Sequence, residues 1–199
     1  MSDHSKMHVY LDWAKERLDE IDATLASFEA SIAHRSAAAG EKAKTALSKI
    51  RESREAFHQA IKHEKESTEG AWIKAKTVLE ADWKTFEAGV EAYLEAFGQE
   101  VEHREAAFKA RADAQQKAWQ DAMSNFDKAV AKLASGGKVE FEAALKKMKS
   151  EAAIARANLE RLHGARDQSW SALKTALAET RTAFDRADHA VHEAFKRAA

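Results

Sequence analysis

Histidines that follow a glutamate by three residues are the groups in this chain best suited to hold a metal ion. The motif Glu-x-x-His occurs at Glu55–His58, Glu100–His103 and Glu160–His163. Two such motifs and two further glutamates form the di-iron site of some four-helix bundles. Here each motif lies one position beside an apolar helical stripe, so its side chains flank the core. We therefore predict that no residue ligates a metal and that the protein has no cofactor.

Two histidine pairs, His4–His8 and His189–His192, are each spaced to share one face of a helix. Imidazoles one turn apart can bind zinc or copper weakly. In the three-helix arrangement predicted below, the two pairs lie at opposite ends and cannot form one four-ligand site. We expect adventitious metal binding at these pairs rather than a biological site.

Motifs for nucleophilic catalysis and phosphate binding are missing from the sequence. It has no cysteine, no glycine-rich phosphate loop, no Gly-x-Ser-x-Gly elbow and no His-Glu-x-x-His motif. An active site usually lies in a concave pocket, and the predicted helices are joined by only two short turns. We predict that the protein is not an enzyme and has no catalytic residues.

The element that carries these residues is an amphipathic helix of unusual length. The chain contains no proline, the residue that most strongly ends a helix. Apolar positions recur in steps of mostly four, four and three, which sum to eleven residues in three turns. This hendecad repeat gives about 3.67 residues per turn, close to a relaxed α-helix. The positions of the central stripe are Phe86, Val90, Tyr93, Phe97, Val101, Arg104, Phe108, Ala112, Gln115, Trp119, Met123, Phe126, Val130 and Leu133.

Glycine-containing segments predict where the helices end. Ser135-Gly136-Gly137-Lys138 offers a C-cap glycine and a flexible turn. A second turn at Ser67-Thr68-Glu69-Gly70 divides the chain into three helices of similar length, at 5–66, 71–134 and 139–197. The alternative places the break at Gly40, with a short first helix at 5–38 and one very long helix at 41–134.

Charge favours the turn near residue 68. Residues 35–57 are predominantly basic, and residues 80–102 carry seven acidic side chains against Lys84 alone. A turn near residue 68 brings these two stretches together in antiparallel orientation. Opposite flanking charges select orientation and register between paired helices, although each exposed pair contributes only about 0–1 kcal/mol.

The fold predicted is all-α: an elongated antiparallel three-helix coiled-coil bundle with hendecad periodicity, forming a single rod domain over residues 1–199. The eleven-residue pattern resembles the repeats of exchangeable apolipoproteins. Residues 72–93 and 170–187 are similar to uncharacterised bacterial coiled-coil proteins rich in Trp, Ala and Lys. The bacterial resemblance implies no activity and no functional residues.

Composition limits which partners the protein can have. There are 32 Lys and Arg against 33 Asp and Glu, whereas a nucleic-acid-binding domain usually has a basic excess. We therefore predict no nucleic-acid partner. The start of the chain has no apolar stretch like a signal peptide, so we expect a cytoplasmic protein. We predict a structural or interaction protein that forms a homodimer or spaces protein partners. The alternative is reversible binding of the Trp/Phe stripe to a membrane, a lipid surface or a granule surface.

Overall fold

In a computed structural model, the described part of the chain comprises residues 4–32, 37–64, 69–97, 100–131, 138–162 and 169–198. Six helices account for nearly all of it, and these ranges contain no strand, so the protein is all-α. The helices are α1 (His4–Ile32), α2 (Ala37–Glu64), α3 (Glu69–Ala96), α4 (Val101–Ala131), α5 (Lys138–Leu162) and α6 (Trp170–Ala198). Within the described ranges, no helix combines the length and apolar character that crossing a bilayer requires.

The predicted helix at 71–134 is divided in the structure. The backbone N–H of Phe97 donates to the carbonyl of Leu94, which closes a tight last turn of α3 at 3.2 Å. Glu100 is not helical, and its carbonyl accepts hydrogen bonds from His103 and Arg104 at the start of α4. Gly98, in the sequence between them, is a residue type that favours helix ends.

The predicted helix at 139–197 is also divided. The Ser169 hydroxyl accepts a hydrogen bond from the backbone N–H of Ala172, and its carbonyl accepts one from Leu173, both at 3.2 Å. Serine is a preferred N-cap because its side chain satisfies a donor that the first helical turn leaves unpaired. This cap begins α6.

The remaining boundaries bear on the alternative fold. Gly40 lies inside α2, so the helix passes through the position where the alternative placed its break. The predicted helix at 5–66 is divided as well. Arg51 of α2 donates to Glu29 of α1 at 2.6 Å although the two residues are 22 positions apart, which a single straight helix does not allow. Residues 33–36 between these two helices, residues 65–68, which include much of the preferred turn, and residues 132–137 and 163–168 lie outside the described residues.

The chain forms two compact units. The first is Ala14–Ala114, here named the 14–114 unit. The second contains Met1–Trp13 together with Gln115–Ala199, and is named the 115–199 unit after its larger part. Helices α1 and α4 each contribute residues to both. The arrangement of the whole chain as one rod domain stays a prediction.

Helices α2 and α3 pack antiparallel in the 14–114 unit. Gly89 of α3 lies against Ile50 of α2, and the rings of Phe57 and Trp83 meet edge to face with centroids 6.3 Å apart. The antiparallel pairing predicted for residues 35–57 and 80–102 is therefore confirmed.

Two of the basic residues used to argue for that pairing have partners on α1. Arg51 of α2 donates to Glu29 of α1 at 2.6 Å, and Arg54 donates to Asp22 of α1. The hydrogen bond and the charge of Asp22 raise the pKa of Arg54. These arginines therefore join α2 to α1 rather than to α3.

Helix α1 runs parallel to α3, because Arg17 lies on the ring of Trp83 and, further along both helices, Phe28 lies on the ring of Tyr93. The rings of Phe28 and Tyr93 stack with their centroids 3.7 Å apart, and the Tyr93 hydroxyl donates to the Phe28 carbonyl at 2.9 Å. The tyrosine thus satisfies its polar end while burying its ring.

The 115–199 unit is built from the second part of α4 with α5 and α6. The rings of Trp119 on α4 and Phe184 on α6 meet edge to face at 5.1 Å, and the side-chain amide of Gln115 donates to the Leu177 carbonyl. Phe141 and Met148 of α5 are fully buried in the same apolar cluster.

Substitution by alanine is expected to have opposite effects at Gly89 and Gly40. A Cβ at Gly89 would lie 2.8 Å from Ile50 Cγ1, so overpacking of about 1–3 kcal/mol should outweigh the roughly 1 kcal/mol gain in helix propensity. Gly40 has nothing within 4 Å of the added Cβ. We expect Gly89→Ala to destabilise and Gly40→Ala to stabilise by up to about 1 kcal/mol, measured by urea unfolding. Equal stabilisation by both changes would contradict the close contact of α2 and α3.

Candidate functional site

Charged side chains occupy the interior of the 14–114 unit, where α1, α3 and α4 meet. On α1, Glu16, Arg17 and Glu20 are all buried. Glu16 and Glu20 are one turn apart and share a helix face. Burial of charge is strongly unfavourable unless each group is paired and hydrogen-bonded, so the surroundings of these side chains determine the character of the site.

Arg111 of α4 is the centre of this buried charged cluster. Its side chain is completely buried. The guanidinium Nε donates to Glu20 Oε1 on α1 at 2.6 Å, and its two terminal nitrogens donate to the two carboxylate oxygens of Glu87 on α3. The planar donors of arginine suit such bidentate pairing. One side chain thereby joins three helices.

Aromatic rings complete the surroundings of the guanidinium. The Arg111 Cζ atom lies 5.1 Å from the centroid of Phe86 and 5.9 Å from that of Trp83. Arg17, which donates to Glu16 at 3.1 Å, lies 5.8 Å from the same tryptophan ring. Trp83 thus contacts two cations at cation–π distance.

The protonation state of Arg111 follows from this environment. Burial alone lowers the pKa of its guanidinium, but the charges of Glu87 and Glu20 and their hydrogen bonds raise it, with a net increase above the ordinary value. An arginine held in its charged form cannot exchange a proton near neutral pH. The cluster is suited to joining helices in one register, and Arg111 is not suited to general acid or base chemistry.

Sequence reasoning did not find this cluster. Glu20, Glu87 and Arg111 each lie one position beside an apolar residue of the stripe, namely Ile21, Phe86 and Ala112. The periodicity of one helix does not distinguish a solvated flank from a buried one. The signal in the sequence that separates the two cases is a flank next to large aromatic residues, such as Trp83 and Phe86 near Glu87.

The Glu-x-x-His motifs do not come together in the described residues. Glu55 and His58 are exposed on α2. His103 is buried, with its ring stacked on Phe97 at 4.8 Å and its Nδ1 3.4 Å from a Glu100 carboxylate oxygen. His163 of the third motif lies outside the described residues.

The paired histidines differ in their surroundings. His189 is exposed and His192 is buried on α6, while the side chains of His4 and His8 are not described. Across the described part of the chain, no three or more His, Cys, Asp or Glu side chains are grouped so that they could hold a metal ion.

Comparison with known proteins adds no relative. No family model, no curated protein and no solved structure matches the chain. Functional inference therefore depends on the packing, burial and charge of its own residues.

Proposed function

We propose that the protein is a non-enzymatic structural protein that self-associates through its helices. The supporting observation is a second apolar stripe on the outer face of α3. Val78 is 62% exposed, and exposed small residues follow it at steps of three and four. The stripe, named the α3 outer stripe, consists of Val78, Ala81, Thr85, Ala88 and Ala92.

The chemistry of this stripe favours contact with another helix. The Thr85 hydroxyl donates to the Ala81 carbonyl of its own helix at 3.2 Å, so it needs no external partner. Apolar positions at alternating steps of three and four form the contact seam of coiled coils. Small side chains permit close approach of the two backbones, and Val78 would become buried. A second copy of the chain fits this seam by isologous pairing, in which the same patch serves both partners.

The proposal also covers the packing of the helices, the location of the protein and its oligomeric state. We propose a cytoplasmic dimer, built of antiparallel coiled-coil helices with hendecad periodicity, that acts as a spacer. Antiparallel packing of α2 against α3 supports the orientation. The buried charged cluster supports the spacer role because ion pairs between three helices oppose sliding of one helix along another.

Binding of the aromatic stripe to lipid is less well supported. Phe86, Val90 and Trp119 are buried, so they would reach a lipid surface only after the helices separate. Such opening would expose the charged cluster as well. Self-association through the α3 outer stripe requires no opening.

Sedimentation velocity at micromolar concentration tests the proposal. We expect the wild-type chain to sediment as a dimer. The double variant Ala81→Glu with Ala88→Glu should weaken association by about 100-fold or more, because each new carboxylate would be desolvated in the contact. The control Ala106→Glu with Ala143→Glu alters exposed alanines on α4 and α5 and should remain dimeric. A monomeric wild type, or equal dissociation of both variants, would rule out this interface.

A further inference from the structure

The 115–199 unit contains a half-open groove between α4 and α5, separate from the charged cluster. Its volume is about 220 Å³. Trp119 and Met123 line it from α4, and Ala152 and Leu159 line it from α5. An enclosed apolar cavity of about 150 Å³ binds a molecule such as benzene. This groove is open to solvent and is lined in part by Gln116 and Gln120, and its volume has room for part of an alkyl chain.

The groove arises from a difference in side-chain size along α5. Met148 and Leu159 of this helix are large and fully buried. Between them, the lining positions Ala152 and Ala153 are occupied by methyl groups alone. Trp119 on the facing helix does not fill the space because its ring packs edge-on against Phe184 of α6.

The charged residues that line the groove are both cations, Lys149 and Arg156, and no carboxylate lines it among the described residues. Lys149 pairs with Asp127 at 3.3 Å and Arg156 with Glu160 at 2.7 Å. All four side chains are at least half exposed. Exposed ion pairs contribute little to stability, so an anionic headgroup can replace either carboxylate.

We infer that this groove binds one medium- or long-chain carboxylate, a fatty-acid anion. The alkyl chain lies against Trp119, Met123, Ala152 and Leu159, and the carboxylate pairs with Arg156 or Lys149. The occupant is a single free molecule because the groove is small and two of its lining residues, Trp119 and Ala152, are themselves buried. A bilayer surface cannot enter a groove of this size. This binding goes beyond the proposed self-association and does not depend on it.

Calorimetric titration of the full chain with decanoate, below its micelle concentration, tests the inference. We expect saturable binding of one decanoate per chain, and quenching of tryptophan emission by a bromine-labelled fatty acid. Trp119→Phe should remove most of that quenching. Decylamine, with the same chain and the opposite charge, should bind at least tenfold more weakly.

Two variants distinguish the groove from non-specific binding. Ala152→Leu fills the groove and should weaken decanoate binding at least tenfold. Arg156→Gln alters an exposed side chain, should leave the fold intact, and should weaken binding about fivefold. The control Ala157→Leu lies on α5 outside the groove and should bind as the wild type does.

Two kinds of result would overturn the inference. Absence of decanoate binding, or binding unchanged in both Ala152→Leu and Arg156→Gln, would exclude the groove. Co-sedimentation with phosphatidylcholine–phosphatidylglycerol vesicles without decanoate binding would replace it with contact at a membrane surface.

Discussion

Replacement of Arg111 by alanine is expected to destabilise the 14–114 unit by about 3–5 kcal/mol, because the variant leaves buried carboxylates without their cation. Glu20 is fully buried and Glu87 partly so. Removal of one partner of a buried ion pair costs more than the pair itself contributes. Urea unfolding followed by far-UV circular dichroism measures the change. Arg51→Ala breaks an exposed pair with Glu29 and should cost at most about 1 kcal/mol.

A triple variant tests whether the ion pairs of Arg111 stabilise the fold or only fix the relative position of the helices. Glu20→Leu, Glu87→Leu and Arg111→Met together remove the ion pairs of Arg111 and leave the buried Glu16–Arg17 pair in place. We expect this variant to be as stable as the wild type or more stable by up to about 4 kcal/mol. If Arg111→Ala and Arg51→Ala proved equally mild, the guanidinium would not be the buried link between α1, α3 and α4.

Replacement of Phe184 by alanine is expected to destabilise the 115–199 unit by about 3–5 kcal/mol. The ring is almost fully buried and packs edge-on against Trp119. Its loss removes buried apolar area and leaves a cavity between α4 and α6. The change can be measured by urea unfolding with tryptophan emission as the probe, since Trp119 reports on the same contact.

The conservative variant Phe184→Leu provides the matched control. Leucine retains most of the apolar volume and should lose less than half as much stability as alanine. A loss below about 1 kcal/mol for Phe184→Ala would show that this ring does not anchor α6 to α4, since truncation of a large buried side chain normally costs more.

Both units bury charged side chains among apolar ones. In the 115–199 unit Phe141, Met148 and Phe184 fill the interior, and Arg181, Asp188 and His192 are also buried. In the 14–114 unit, the ion pairs of Arg111 with Glu20 and Glu87 link three helices within the apolar core. An apolar interior tolerates small slips of one helix along another. Hydrogen-bonded ion pairs do not, because a displaced partner leaves a charge buried and unpaired.

The helical class and the pairing of α2 with α3 could be predicted from the sequence. Apolar residues at steps of three and four lie on one face of the same helix. This pattern is local, so it can be recognised without knowing which other helices pack against that face. The antiparallel orientation of residues 35–57 and 80–102 was predicted correctly. Arg51 and Arg54 do not cause it, because both pair with α1.

The helix ends near Phe97 and Ser169 were not predicted. A single glycine such as Gly98 costs only about 1 kcal/mol inside a helix, which is too little to decide by itself whether the helix continues. Packing on neighbouring helices supplies the larger energy, and that packing is not visible in a local pattern.

The buried charged cluster was decided entirely by tertiary structure. Arg111 pairs with a residue 24 positions away and with another 91 positions away. Whether a charge beside an apolar stripe is solvated or buried depends on the side chains that other helices bring to it. Periodicity along one helix determines which face is apolar, but only the assembled helices determine which charges lie inside.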